Sequence, residues 1–200
     1  ISNPLYKATD FALSGSDSIS GTDAGTYNKE LTADSFTNKN NNFNVTFDVH
    51  NGQLVINKID AVVTIAENSD TADYDGEEHT VTGYDVKSIQ VNDKDTTLYT
   101  ENDFTFSGTD SVSGTNAGSY DMELKAADFT NTNDNFEKVT FVIEDGQLVI
   151  NPIDVTVTIT GHNDSTTYDG AEHTVTGYDV EISNPLYTED DFTFTGTASD

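Results

Sequence analysis

The sequence predicts an all-β protein of tandem repeats, each an Ig-like β-sandwich, strung into an elongated rod. Three observations predict it. The stretch "YDGEEHTVTGYDV" at Tyr74–Val86 returns as "YDGAEHTVTGYDV" at Tyr168–Val180, with Glu77 replaced by Ala171. Short segments alternate apolar and polar residues with a period of two, the mark of half-buried strands. Between them lie Thr, Asn, Asp and Gly, with only three prolines in 200 residues, a vocabulary of strands and polar turns.

The repeat sets the organisation. "GTDAGTY" (21–27) returns as "GTNAGSY" (114–120), "NGQLVINKID" (51–60) as "DGQLVINPID" (145–154), and "ISNPLY" opens the chain and recurs at 182–187, so the spacing is mostly 93 or 94 residues. It shortens to 88 between Tyr99 and Tyr187, which marks a surface loop, where length changes are tolerated. One complete unit is expected over 58–151, with 1–57 the second half of a unit and 152–200 the first half of the next. The junction falls at "INKID" and "INPID", where Pro152 stiffens the chain without needing a ladder hydrogen bond. Cuts near 93/94 and 181/182 are the alternative phase.

Within a unit, "FNVTFDVHNGQLVIN" reads as a hairpin with an Asn51-Gly52 type I′ turn. That register sets Val49 opposite Leu54 and Phe47 opposite Ile56; in the second copy Asp145-Gly146 turns, Ile143 meets Leu148 and Phe141 meets Ile150. "VTVTIT" (155–160) places Val155, Val157 and Ile159 on one face, "DFTF" pairs Phe104 with Phe106 and Phe192 with Phe194, and "GSYDMEL" aligns Tyr120, Met122 and Leu124. About seven strands per repeat fit a sandwich. "LKAADFTN" (124–131) can form a helical turn; were it a true helix, β-grasp-like repeats would be the alternative fold.

Leu, Ile, Val and Phe make up 46 residues, 23%, so cores are expected to be thin. The net charge is −28, from 36 acids against eight lysines and no arginine. Such a surface repels phosphate backbones and anionic lipid, which argues against nucleic acid and membrane as partners. The complete unit alone carries 20 acids and five lysines, so the charge is spread along the chain. There are no cysteines, hence no disulfides or thiolate metal sites. No apolar run approaches the roughly 20 residues that span a bilayer.

The "YDG" after a Val/Thr/Ile strand, "GTNAGSY", the Asn-rich "NDNF" and a closing "GQLVINP" together resemble the YDG/MBG-type repeats of bacterial surface proteins. The likeness covers nearly the whole chain. It implies an extracellular, cell-surface stalk or adhesin repeat, and no particular ligand.

Four groups of residues invite a chemical reading. Asp75 and His79, like Asp169 and His173, are four apart, as a base and its orienting carboxylate would be. An Asp-Gly turn leading into a strand explains the same spacing. No nucleophile motif accompanies it, and bricks repeat more readily than active sites, so no enzyme is expected. The acidic stretch 67–78 offers Asp70, Asp75 and Glu78, recurring as Asp164, Asp169 and Glu172, as calcium ligands; a solvated acidic loop is the competing reading, and no other cofactor is indicated. Tyr74, Tyr84, Tyr99 and Tyr120, with counterparts Tyr168, Tyr178, Tyr187 and Tyr27, suit either a core with tethered hydroxyls or a sugar-binding face. Gly76 and Gly170 supply positive φ to a turn, and Gly83 and Gly177 a bulge that brings Val81, Tyr84 and Val86 to one core. The "GTNAGSY" glycines lack the lysine of a phosphate loop.

The function expected is a structural stalk module of an adhesin-like protein, whose neighbours in the chain are its first partners. A calcium-dependent module for host glycan or protein is the alternative. The half-units are further expected to pair head to tail between chains.

Overall fold

The computed structural model describes residues 1–196. In chain order the strands are β1 (Phe11–Leu13), β2 (Gly25–Asn28), β3 (Phe36–Asn38), β4 (Gln53–Ile56), β5 (Ile59–Glu67), β6 (Asp70–Asp73), β7 (His79–Thr82), β8 (Tyr84–Val91), β9 (Lys94–Asp95), β10 (Phe104–Phe106), β11 (Ser111–Gly114), β12 (Gly118–Asp121), β13 (Phe129–Asn131), β14 (Phe136–Glu144), β15 (Gln147–Asn151), β16 (Val157–Gly161) and β17 (Tyr178–Ile182). The only helical elements among the described residues are single 3-10 turns, so the fold is all-β and the β-grasp alternative is not adopted. "LKAADFTN" contributes one such turn, Ala126–Asp128. The complete repeat holds eleven short strands, β5 to β15, where about seven were expected, because several predicted strands divide between small sheets.

The chain forms two compact units drawn from interleaved segments. The first comprises Ile1–Ile65, Val86–Gly108 and Lys125–Ile143. It contains the pairs β1–β3 and β10–β13 and most of the sheet ordered β14-β5-β8-β9. Alternation in β5 buries Ala61, Val63 and Ile65. The same unit holds an aromatic cluster: Tyr99 meets Phe136 edge-on at 4.8 Å, and Phe141 meets Phe104 at 5.3 Å and Phe129 at 5.2 Å. Such pairs add about 0.5–1.5 kcal/mol each beyond the area they bury. Tyr6, Phe11, Phe36, Phe43 and Phe47 repeat the arrangement.

The second unit comprises Ala66–Asp85, Thr109–Leu124 and the chain from Glu144 onward. It holds the mixed sheet β12-β15-β6 and the pairs β11–β7 and β16–β17. Met122, Leu124, Leu148, Ile150 and Val81 form its core.

The predicted "NGQLVIN" hairpin does not form. β14 and β15 lie in different sheets, and β15 pairs antiparallel with β12 (Tyr120 opposite Leu148) and parallel with β6 (Ile150 opposite Ala72). In the first copy β4 likewise pairs with β2, Tyr27 opposite Leu54. Asp145-Gly146 is therefore a corner between sheets. Neither Gly52 nor Gly146 has the positive φ that a type I′ turn requires. Gly146 is glycine for a different reason. A Cβ there would stand 2.3 Å from the Asn68 carbonyl oxygen and 2.7 Å from Glu67 Cβ.

That close approach serves a buried acid. Glu67, 7% exposed, continues the inward face of β5, and its carboxylate accepts the Leu124 and Gly146 N–H groups at 2.7 Å each. At the equivalent corner of residues 1–57 the Asn51 side chain accepts the Leu31 N–H and donates to the Leu31 carbonyl.

A two-residue hairpin does occur at Asn92-Asp93, joining β8 to β9 with φ of 54° and 59°. This is the segment that the third copy shortens, and it is a strand-forming turn where a plain loop was expected. At Gly83 (φ 85°) the expected bulge is a break: β7 ends at Thr82 and β8 begins at Tyr84 in another sheet. Gly177 repeats it at φ 91°. Val81 is buried, while Tyr84 and Val86 are half-buried. The other expected alternations hold in part: Phe104 is buried and Phe106 half-buried in β10, whereas Phe194 is 55% exposed and Ile159 is 50% exposed.

Candidate functional site

The Asp-to-His turn of the "YDG" segment makes the same contacts in both copies. Asp75 Oδ1 accepts the Glu77 N–H at 2.9 Å and lies 3.0 Å from His79 Nε2. Asp169 Oδ1 accepts the Ala171 N–H at 2.9 Å and lies 2.8 Å from His173 Nε2. The turn N–H first, and the histidine second, hold both aspartates below the usual carboxylate range. This is an Asx turn closed by a histidine, which in the first copy also opens β7. The contact survives the change of Glu77 to Ala171, so closing the turn accounts for it.

The acids singled out for calcium are placed separately. Asp70 accepts the Thr71 N–H and Asp164 the Ser165 N–H, each at 2.8 Å. Glu78 accepts the Ser113 hydroxyl at 3.1 Å, Asp75 and Asp169 close their turns, and Glu172 is exposed. Among the described residues no group of three or more His, Asp or Glu side chains is gathered as a metal would need.

Most of the tyrosines are tethered. The Tyr99 hydroxyl donates to the Asp103 carbonyl at 3.0 Å and to Asn131 Oδ1 at 3.1 Å. Tyr6 does the same with Asp10 and Asn38, and Tyr187 with the Asp191 carbonyl. Burial, and then the Asp103 charge, push the Tyr99 phenol up to about 12. Tyr27 and Tyr120 lie across Gly21 and Gly114, where a Cβ would stand 2.3 Å from the ring, and their hydroxyls donate to Asp23 and Asn116 carbonyls. The "GTNAGSY" motif is thus a loop clasped by its own tyrosine. Tyr168 differs, at 92% exposed.

Sequence reasoning missed a recurrent turn, which in three of its copies lies at the foot of Tyr6, Tyr99 and Tyr187. Each 3-10 turn ends in Asp or Ser and is followed by Phe: Asp10-Phe11, Ser35-Phe36, Asp103-Phe104, Asp128-Phe129 and Asp191-Phe192. The side chain accepts the N–H three residues back, as Asp103 Oδ2 does from Thr100 at 2.7 Å. Burial pushes the Asp103 carboxyl up, but bonds from Thr100 and Asn133 outweigh it and leave the pKa lowered. The repeated acid-or-Ser-then-Phe pattern was the available signal.

Two further features concern joints between sequence repeats. In the first unit Asn135, in "NDNF", accepts the Ala24 N–H at 2.6 Å and donates to Asp23 Oδ1 at 3.0 Å, while its carbonyl accepts the Ile59 N–H at 3.2 Å. In the second unit an open cavity of about 220 Å³ is lined by Tyr74, Asn116, Pro152, Asn184, Leu186 and Tyr187, among others.

The strands, tethered tyrosines and twice-built turns define an all-β tandem-repeat protein. The chain belongs to the MBG domain family: the family model matches residues 2–58 and again residues 61–152. No curated protein and no solved structure matches it. No helix among the described residues is long and apolar enough to cross a membrane.

Proposed function

We propose that the chain is a non-catalytic stalk module of a bacterial cell-surface, adhesin-like protein, in which repeats serve as spacers that carry a binding region outward. One observation supports this reading: residues one repeat apart, at spacings of 94, 93 and 88, make the same contacts, from the Asp75–His79 and Asp169–His173 closures to the Tyr6, Tyr99 and Tyr187 anchors. Repetition of the same contacts from copy to copy is what a spacer needs. Like charge along the repeats keeps neighbours from collapsing onto one another.

The test is the length of concatenated repeats. Small-angle scattering on chains with increasing repeat number is expected to give a maximum dimension that grows linearly. Growth as the cube root of mass would overturn the reading. Antibodies against the chain are expected to label intact cells of the organism that encodes it.

A second reading, a module that also binds glycan or protein, is favoured by the cavity that Tyr74, Tyr187, Asn116 and Asn184 line, since rings and amides together suit sugar hydroxyls and faces. Calcium dependence of such binding would show as a rise in melting temperature on adding calcium, reversed by a chelator.

A further inference from the structure

Asn135 of the middle repeat touches the repeat before it. Its Oδ1 accepts the Ala24 N–H at 2.6 Å, its Nδ2 donates to Asp23 Oδ1 at 3.0 Å, and its carbonyl accepts the Ile59 N–H at 3.2 Å. Asp23 and Ala24 sit in the "GTDAG" loop of residues 1–57, and Ile59 opens β5 just past the covalent link. All four residues belong to the first unit. Modules joined by one chain crossing move against each other by default, unless contacts oppose it. Here a single residue grips the preceding loop and the incoming strand together.

Both sides of that grip are held in turn. Asn131, Asn133 and Asn135 form a ladder: Asn131 Oδ1 accepts the Asn133 N–H at 2.9 Å, and Asn133 Oδ1 accepts the Asn135 N–H at 3.0 Å. The ladder hangs from the core. The Tyr99 hydroxyl donates to Asn131 Oδ1, and Asn133 Nδ2 donates to Asp103 Oδ1 at 2.8 Å. Phe136, next in the chain, is buried against Tyr99. Across the joint, the Tyr27 hydroxyl fixes the Asp23 carbonyl at 2.8 Å. Residues 1–57 build the same ladder from Asn38, Asn40 and Asn42, hung from Tyr6, so it is a property of the repeat.

We propose that Asn135 is a latch that fixes the orientation of one repeat against the repeat before it. Its use as a stiffener rests on the stalk reading above. The joint calls for an amide, because an amide offers one acceptor to the Ala24 N–H and one donor to the Asp23 carboxylate. The second bond is charge-assisted and so stronger than a neutral one. A carboxylate at this position would keep the first bond and turn the second into repulsion.

Spin labels test this, since the chain has no cysteines of its own. Thr37→Cys and Thr130→Cys place labels on exposed, equivalent positions of β3 and β13, one in each repeat. Double electron–electron resonance is expected to give one narrow distance. Asn135→Ala loses it to a broad distribution, and so does Asn135→Asp. Adding Asp23→Asn to Asn135→Asp restores the narrow distance, because amide and carboxylate have only changed places. A side chain that merely packed within its own repeat would not be rescued in this way. The proposal is overturned by a wild-type distribution that is already broad, by one that Asn135→Ala leaves unchanged, or by failure of the reversed pair to restore it. Should Asn135→Ala not fold, the reversed pair and Asp23→Ala, on the exposed loop, decide instead. A broad distribution beside scattering dimensions that still grow linearly with repeat number sinks the latch and spares the stalk. A narrow distance beside cube-root growth does the reverse.

Discussion

Glu67 and Gly146 meet at the corner between two sheets: the Glu67 carboxylate takes the Gly146 N–H at 2.7 Å, and the glycine's lack of a side chain lets the backbone come that close. The same carboxylate takes the Leu124 N–H, so one buried acid ties three segments of the second unit. Glu67→Gln keeps one acceptor oxygen and sets an amide nitrogen against the other N–H. The expected loss is about 1–3 kcal/mol, the cost of one unsatisfied buried donor. Glu67→Ala leaves both donors unsatisfied and is expected to cost roughly twice as much. Urea unfolding of the three proteins measures the order.

The two glycines of the "GQLVI" motif are expected to answer differently to the same change. Gly146→Ala forces a Cβ onto the Asn68 carbonyl and should destabilise by about 1–3 kcal/mol. Nothing lies within 4 Å of a Cβ at Gly52, whose φ is not positive. Gly52→Ala should be neutral or stabilising by up to about 1 kcal/mol, through the unfolded chain. Thermal unfolding of the pair separates close approach from mere motif membership.

Tyr99→Phe removes a hydroxyl that serves both Asp103 and Asn131, and is expected to cost about 1–2 kcal/mol. Its phenol also sets an alkaline limit. The folded pKa, about 12, lies above the unfolded value of about 10, so the neutral form is favoured in the folded chain. The resulting stability is complete below the unfolded value and is lost as pH rises through the folded one. Stability measured between these values should fall in the wild type and stay flatter in Tyr99→Phe.

Asp75 and Asp169 titrate lower in the folded chain, held by the turn N–H and then the histidine. Their contribution is present above the unfolded value of about 3.9 and disappears as pH falls through the folded values. Both are exposed, so the effect is small. Asp75→Asn combined with Asp169→Asn keeps the turn acceptor and removes the charge. This double variant should lose less stability than the wild type as the pH falls below about 4, followed by denaturant midpoints at each pH.

The residues explain how far the sequence could be read. Alternation in "DFTF" (103–106) and "QLVI" (147–150) gave strand faces directly, because side chains alternate with a period of two. The positive φ at Gly76 and Gly170 was legible too, since only glycine accepts it readily. Pairing was not legible. Asn51-Gly52 and Asp145-Gly146 look like local turns, yet β15 finds its partners in β12 and β6, and only long-range packing selects them. A signal was present in Glu67, which falls on the inward parity after Ala61, Val63 and Ile65 and so requires buried donors. The Asp75–His79 spacing was legible as a turn, and its repetition in a second copy weighed more than its likeness to a catalytic pair.

The parallel alignment of β15 with β6 governs how a repeat gives way when pulled. Force that enters β6 at Asp70 and leaves β15 at Asn151 slides these two strands along each other, because they point the same way. Their ladder bonds then stretch in concert and must rupture together, whereas an antiparallel hairpin peels open one rung at a time. A surface held against flow would draw on that difference, each repeat resisting until it yields in a single step.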